Sequence, residues 1–361
     1  MMFHKILSVL CALALILCTV PAGTLAESNA SDQAAIEAAL NLANNAEQGW
    51  TYNADPDAWV LSVVAAVTNP ELPDYQGVSV CVPGAYVTGI DTDSDGMADV
   101  TSADASGEVK GRLVIDYTAQ IVSTNGQTYS AATAPVIFTT GAAGYSAQQN
   151  SQAGTTYAAE GYVYMVCGNR GKQSSVTNSD GTVTYTGDAP DCLVDQKNAA
   201  RYVKYNILLG NLPGDPDLLV STGGSGGGAH AVMFAATSNN PDYYPYEAQA
   251  GAVGVYALAD GSYSTAVNVN GEAVALSDGA WGCIGYSPIT SLYEADMAQA
   301  FEYTMDTTYD FNTPFQKQLA SYLSQAYMNE INARNLTADE KSVGFELNGD
   351  GEQEDTVSLT I

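Results

Sequence analysis

The sequence predicts an α/β fold, a mostly parallel β-sheet with helices on both faces. Three observations point there. Short apolar runs recur along the chain, among them PVIFTT, YVYMVCG, DLLVST and WGCIGYS. Segments of helical spacing lie between them, and buried strands alternating with helices form covered parallel sheets. One of the runs leads straight into VSTGGSGGGAHAV (residues 220–232), a glycine-rich turn followed by a helix-compatible stretch.

The elements follow in order. Lys5, the apolar run over residues 6–20 and Thr24-Leu25-Ala26 have the layout of a secretory signal peptide over residues 1–26, too short to span a membrane. Ser31 is placed to cap a helix reaching about Gln48. YQGVSVCVP (75–83) alternates and stops at proline, as a strand does. A polar excursion covers residues 91–108, and GRLVIDYTAQI follows as another strand. The runs at 135–140, 162–168, 217–222 and 281–287 are buried-type strands. In residues 191–210, Leu193, Ala200 and Val203 share one helical face. Residues 251–280 are small and polar and read as surface decoration. Helices are expected over 294–305 and 314–335. The organisation is therefore a leader (1–26), a core (27–310) and a separate helical element (311–361).

Lys and Arg total 11 against 40 Asp and Glu, a formal net charge of −29. A field of that sign repels nucleic acid and anionic lipid. After the leader no run reaches about 18 unbroken apolar residues, so no membrane span is expected. Export permits disulfides, but Cys81, Cys167, Cys192 and Cys283 are widely spaced and lack metal-type spacing. Buried free thiols are expected, with one or two disulfides as the alternative.

Gly223-Gly224-Ser225-Gly226-Gly227 fits the nucleophile-elbow pattern G-x-S-x-G. In a chain with 34 glycines the match has little weight alone. Its flanks give it weight: a leucine-rich strand before and AHAVMFAAT after, where a flexible linker would not be so tightly framed. One oxyanion donor would be the Gly226 N–H. The other would come from the loop after an earlier strand, and TTGAAGYS (139–146) offers Gly144 or its neighbour Ala143.

These pieces together resemble the bacterial tannases and the related feruloyl-esterase-like proteins, serine esterases of α/β-hydrolase fold. The resemblance is carried by PVIFTTGAAGY, GYVYMVCGNRG, APDCLVDQKNAARYVKYN, LLVSTGGSGGGAHA and YSPITSLYEADMAQAFEY, and covers roughly residues 75–310. It implies a carboxylic ester hydrolase that takes small phenolic esters, gallates or hydroxycinnamates, and calls for no cofactor in catalysis. Ser225 would be acylated, Gly144 and Gly226 would hold the oxyanion, and Ile289 would line the acyl pocket. Two departures stand out: Ala143-Gly144 where the family often has Gly-Gly, and a longer insertion around residues 261–278.

The base is a larger departure. The α/β-hydrolase order is Ser, acid, His, yet no histidine follows His230. Five residues of helix rise about 7.5 Å, which carries His230 away from Ser225. His230 is expected to pack on the helix instead. The helices after Asp310 and the terminal DTVSLTI resemble the start of the family's helical lid insertion. The expectation is an incomplete hydrolase sheet, inactive as it stands, with acid and base absent. The alternative is a secreted, non-catalytic binding protein on the same fold.

DTDSDGMAD places Asp91, Asp93, Asp95 and Asp99 around Gly96. Alternating carboxylates with a glycine turn can surround a structural Ca²⁺, although Ser102 occupies the place of the bidentate glutamate in a full EF-hand loop. A solvated acidic hairpin is the other reading.

Overall fold

Ten strands organise the described chain: β1 (Gly49–Ala54), β2 (Asp57–Leu61), β3 (Gly77–Pro83), β4 (Val87–Asp91), β5 (Glu108–Lys110), β6 (Arg112–Ile115), β7 (Val136–Thr139), β8 (Val163–Cys167), β9 (Leu219–Gly224) and β10 (Gly282–Tyr286). The computed structural model describes residues 28–45, 48–61, 64–149, 156–289, 292–353 and 355–361. The leader expected over residues 1–26 lies outside them. The main sheet runs β10-β9-β7-β8-β3-β2-β1-β5, with the short strand Val64–Ala65 also paired to β3. From β10 to β8 all pairs are parallel. From β8 to β5 all are antiparallel. The expected α/β class holds, and its parallel half carries the serine.

The strands expected at 75–83, 135–140, 162–168, 217–222 and 281–287 are present within two residues of those bounds. β1 and β2 were not anticipated. They form a tight hairpin that buries Trp50 and Trp59 completely. Tyrosine, asparagine and aspartate inside GWTYNADPDAW interrupt the apolar alternation on both sides of the hairpin and blur the strand signal. The first helix, α1 (Gln33–Leu40), is shorter than expected. The Asn41 side chain accepts the Ala43 N–H at 2.9 Å and turns the chain into a 3₁₀ segment, Leu42–Asn44.

Helix α2 (Asp191–Leu208) is buried from Leu193 to Ile207, charges included. Lys197 Nζ lies 2.9 Å from Asp278 Oδ2, and both side chains are fully buried. Arg201 pairs with Glu247 and lies 3.6 Å from Asp278. Lys204 donates to the Gly279 carbonyl at 2.5 Å, and burial pushes its pKa down to about 8. Residues 251–280 are thus not mere decoration. They place Asp278 and the Leu276 and Gly279 carbonyls against the cations of α2. Val253, Val255, Val267 and Leu276 are also buried there.

Helix α3 (Gly226–Ala236) follows β9 directly, and α4 is Tyr244–Ala250. Phe234 of α3 packs edge-on against Phe138 of β7, ring centres 5.3 Å apart, which seats the helix on the sheet. The four cysteines among the described residues are free; Cys81 and Cys167 are buried, but Cys283 is exposed because β10 is a sheet edge. A second compact unit runs over Ile289–Ile361. Its helices are α5 (Leu292–Met305) and α6 (Pro314–Ala333), with Phe301 and Tyr327 in ring contact at 5.4 Å. Strands Thr337–Asp339 and Thr356–Ser358 pair antiparallel. Among the described residues no helix is long and apolar enough to cross a membrane.

Candidate active site

Parallel pairing fixes where the two glycine loops meet. Thr139 of β7 stands opposite Thr222 of β9, and Gly224 stands opposite Tyr286 of β10. The chain passes from β7 to β8 on one side, and β9 then returns to the other side of β7. That reversal is a topological switch point, where open α/β sheets bind ligands beyond their carboxyl ends. The loop after β7 and the turn after β9 both leave the sheet there.

Ser225 occupies the turn with φ 53° and ψ −122°, a conformation an L-residue adopts at a cost. Its N–H donates to the Tyr286 carbonyl at 3.0 Å. The side chain is exposed and makes no capping bond to α3. Strand, strained serine and helix therefore follow one another as the motif requires. Gly226 opens the helix, so its N–H has no acceptor within the helix and stands at the positive end of the dipole.

The loop after β7 comes against this turn. Ala142, Gly144 and Tyr145 have φ of 75°, 61° and 60°. The left-handed Ala142 and Gly144 flank Ala143, and such alternating turn conformations turn backbone N–H groups toward a concavity that suits an anion. A Cβ on Gly226 would lie 2.5 Å from the Ala142 oxygen and 3.2 Å from the Gly144 nitrogen. Glycine at 226 is thus required for the approach that brings Ser225, Gly226 and Gly144 together.

The turn is clamped from below by Thr140, which the strand pattern alone did not single out. Thr140 N–H donates to the Thr222 carbonyl at 2.8 Å, and its hydroxyl donates to the Gly227 carbonyl at 2.7 Å. A hydroxyl just before a glycine loop is a common sequence feature, so no local signal marks it.

His230 is 6% exposed, and burial lowers its pKa. Its ring nitrogens lie 3.6 and 3.7 Å from Cys192 Sγ, and its ring centre lies 5.8 Å from that of Tyr145. It packs against α2 and the loop after β7, whereas the sequence places it only on the helix after Ser225. Ile289 is half-buried and follows Pro288 at the start of the second unit. In the acidic loop, carboxylate oxygens of Asp91, Asp93 and Asp99 lie within 4.8 Å of one another. Asp95 is not part of that group; its Oδ1 accepts the Met97 N–H. The loop also holds itself. Asp91 accepts from Ser94 and Gly96, and Asp99 accepts from Thr92, which lowers the Asp99 pKa.

No protein-family profile matches the sequence, and no curated protein does. Solved structures do match. The tannase of Fusobacterium nucleatum aligns at 22% identity and TM-score 0.51, over 83% of this chain and 58% of that one. A tannin acyl hydrolase in complex with 3,4-dihydroxybenzoate aligns at 22% and 0.51, over 81% and 54%. One in complex with ethyl gallate aligns at 22% and 0.50, over 78% and 52%. The fold is that of the tannases. The chain spans little more than half the length of these structures.

Proposed function

We propose that this chain is an exported serine carboxylesterase for phenolic esters such as gallates or hydroxycinnamates. One observation carries the reading: Ser225 is held at a strained strand-to-helix turn with the Gly226 and Gly144 backbones packed against each other beside it. In this mechanism Ser225 Oγ attacks the ester carbonyl. The Gly226 and Gly144 N–H groups hold the oxyanion, the alcohol leaves, and water hydrolyses the acyl-enzyme. The gallate ester and dihydroxybenzoate named in the matching tannase structures support the substrate class.

The reaction needs a base for the Ser225 proton. His230 does not serve, because it is buried against Cys192 and Tyr145. It is the one histidine among the described residues, so a histidine base would have to come from outside them. A fluorophosphonate probe tests the nucleophile. In the complete gene product, labelling that disappears in Ser225→Ala is expected, with turnover of methyl gallate or methyl ferulate exceeding that of a p-nitrophenyl alkanoate. A chain that never labels is a binding protein on this fold and not an esterase.

A further inference from the structure

We propose that Thr140 is a positioning residue for the oxyanion hole, an inference that rests on the esterase reading above. Its hydroxyl joins the strand end that leads to one donor to the helix turn that supplies the other. Thr140 is 3% exposed. Its own N–H extends the β7–β9 pairing by one residue, to the Thr222 carbonyl. The hydroxyl has two acceptors within reach, Gly227 at 2.7 Å and Thr222 at 3.2 Å. It has one proton, and the Gly227 oxygen is the nearer acceptor, at 2.7 Å against 3.2 Å, so the Gly227 bond is the stronger of the two.

Gly227 lies two residues past Ser225 in the first turn of α3, and Gly144 lies four residues past Thr140. A single hydrogen bond therefore crosses between the Gly226 and Gly144 segments. The glycine pattern is shaped around it. A side chain at Gly223 would meet Thr140 Oγ1 at 2.8 Å, and one at Gly227 would meet the Thr140 and Gly141 carbonyl oxygens at 2.5 Å. Two glycines of the GGSGG turn thus make room for Thr140 and the residue after it. Oxyanion donors act by being fixed in place before the reaction, so a shift of a fraction of an ångström between them is felt in rate. Valine has the shape of threonine without the proton and isolates the bond.

The test compares wild type, Thr140→Val and Thr140→Ser in the complete gene product. It reads the rate of Ser225 phosphonylation by a fluorophosphonate, kcat and KM on methyl gallate, and thermal melting. Thr140→Val is expected to slow labelling and kcat by about 10- to 100-fold, with KM within about twofold and the protein folded at assay temperature. Thr140→Ser is expected to recover most of both rates. If Thr140→Val does not fold, Thr140→Ala carries the same comparison with serine. A folded valine variant at the wild-type rate, or a serine variant as slow as valine, overturns the inference and leaves the esterase reading standing. A wild-type chain that does not label overturns both, before any variant is made.

Discussion

Ser225 has a Cβ in a backbone conformation that favours glycine, at φ 53° and ψ −122°. Holding an ordinary residue in such a region costs about 1–3 kcal/mol. Glycine there escapes that cost but gives up about 0.5–1 kcal/mol to the greater freedom of its unfolded chain. The balance favours glycine, and only the hydroxyl's chemistry argues for serine. Ser225→Gly is expected to melt higher than wild type by a few degrees while losing all labelling, since ~1 kcal/mol moves the midpoint of a domain this large by about 2–4 °C. Ser225→Ala keeps the Cβ and should melt near wild type. Calorimetry on the three proteins checks this. A glycine variant that melts lowest would mean the turn is not strained.

At the scale of elements, α2 is held by charges that cannot reach water. Lys197 and Arg201 both lean on Asp278, from the segment after α4, and Arg201 also on Glu247. Removing one partner of a buried ion pair strands the other charge, which costs about 3–5 kcal/mol. Asp278→Ala is expected to lose that much in urea unfolding, and Asp278→Asn nearly as much, because the missing charge matters more than the missing volume. A loss under about 1 kcal/mol would show that water reaches the cations. This network also marks where the sequence stops being legible. The helix could be read from Leu193, Ala200 and Val203, but no local pattern marked Lys197, Arg201 and Lys204 as buried. Their partners are 40 to 81 residues away, beyond any local pattern. The serine turn was legible because strand, glycines and helix are contiguous. Thr140 was not, since its acceptor lies 87 residues on. Of the four aspartates read as one group, Asp95 lies outside it, its Oδ1 accepting the Met97 N–H.

For the whole molecule, the decisive contrast is between its charge and its sheet edge. β10 pairs only with β9 among the described residues. Around it Trp281, Ile284 and Tyr286 are 72%, 50% and 63% exposed. An apolar edge with unpaired backbone groups favours association with another strand. The formal net charge of −29 opposes it by long-range repulsion between copies. The two effects differ in range. Repulsion between separate molecules is screened with a Debye length of about 30 Å at 0.01 M salt and about 3 Å at 1 M, whereas strand pairing acts at contact and survives salt. The chain should therefore sediment as a monomer at low ionic strength and associate increasingly as salt rises, with the association growing with protein concentration. Ile284→Lys places a charge on the edge itself and should shift the onset to higher protein concentration at every salt level. Sedimentation velocity across a salt series checks both parts. A monomer throughout the series would mean that the edge is not available for pairing, and association that weakens with salt would mean that charge rather than the strand drives it.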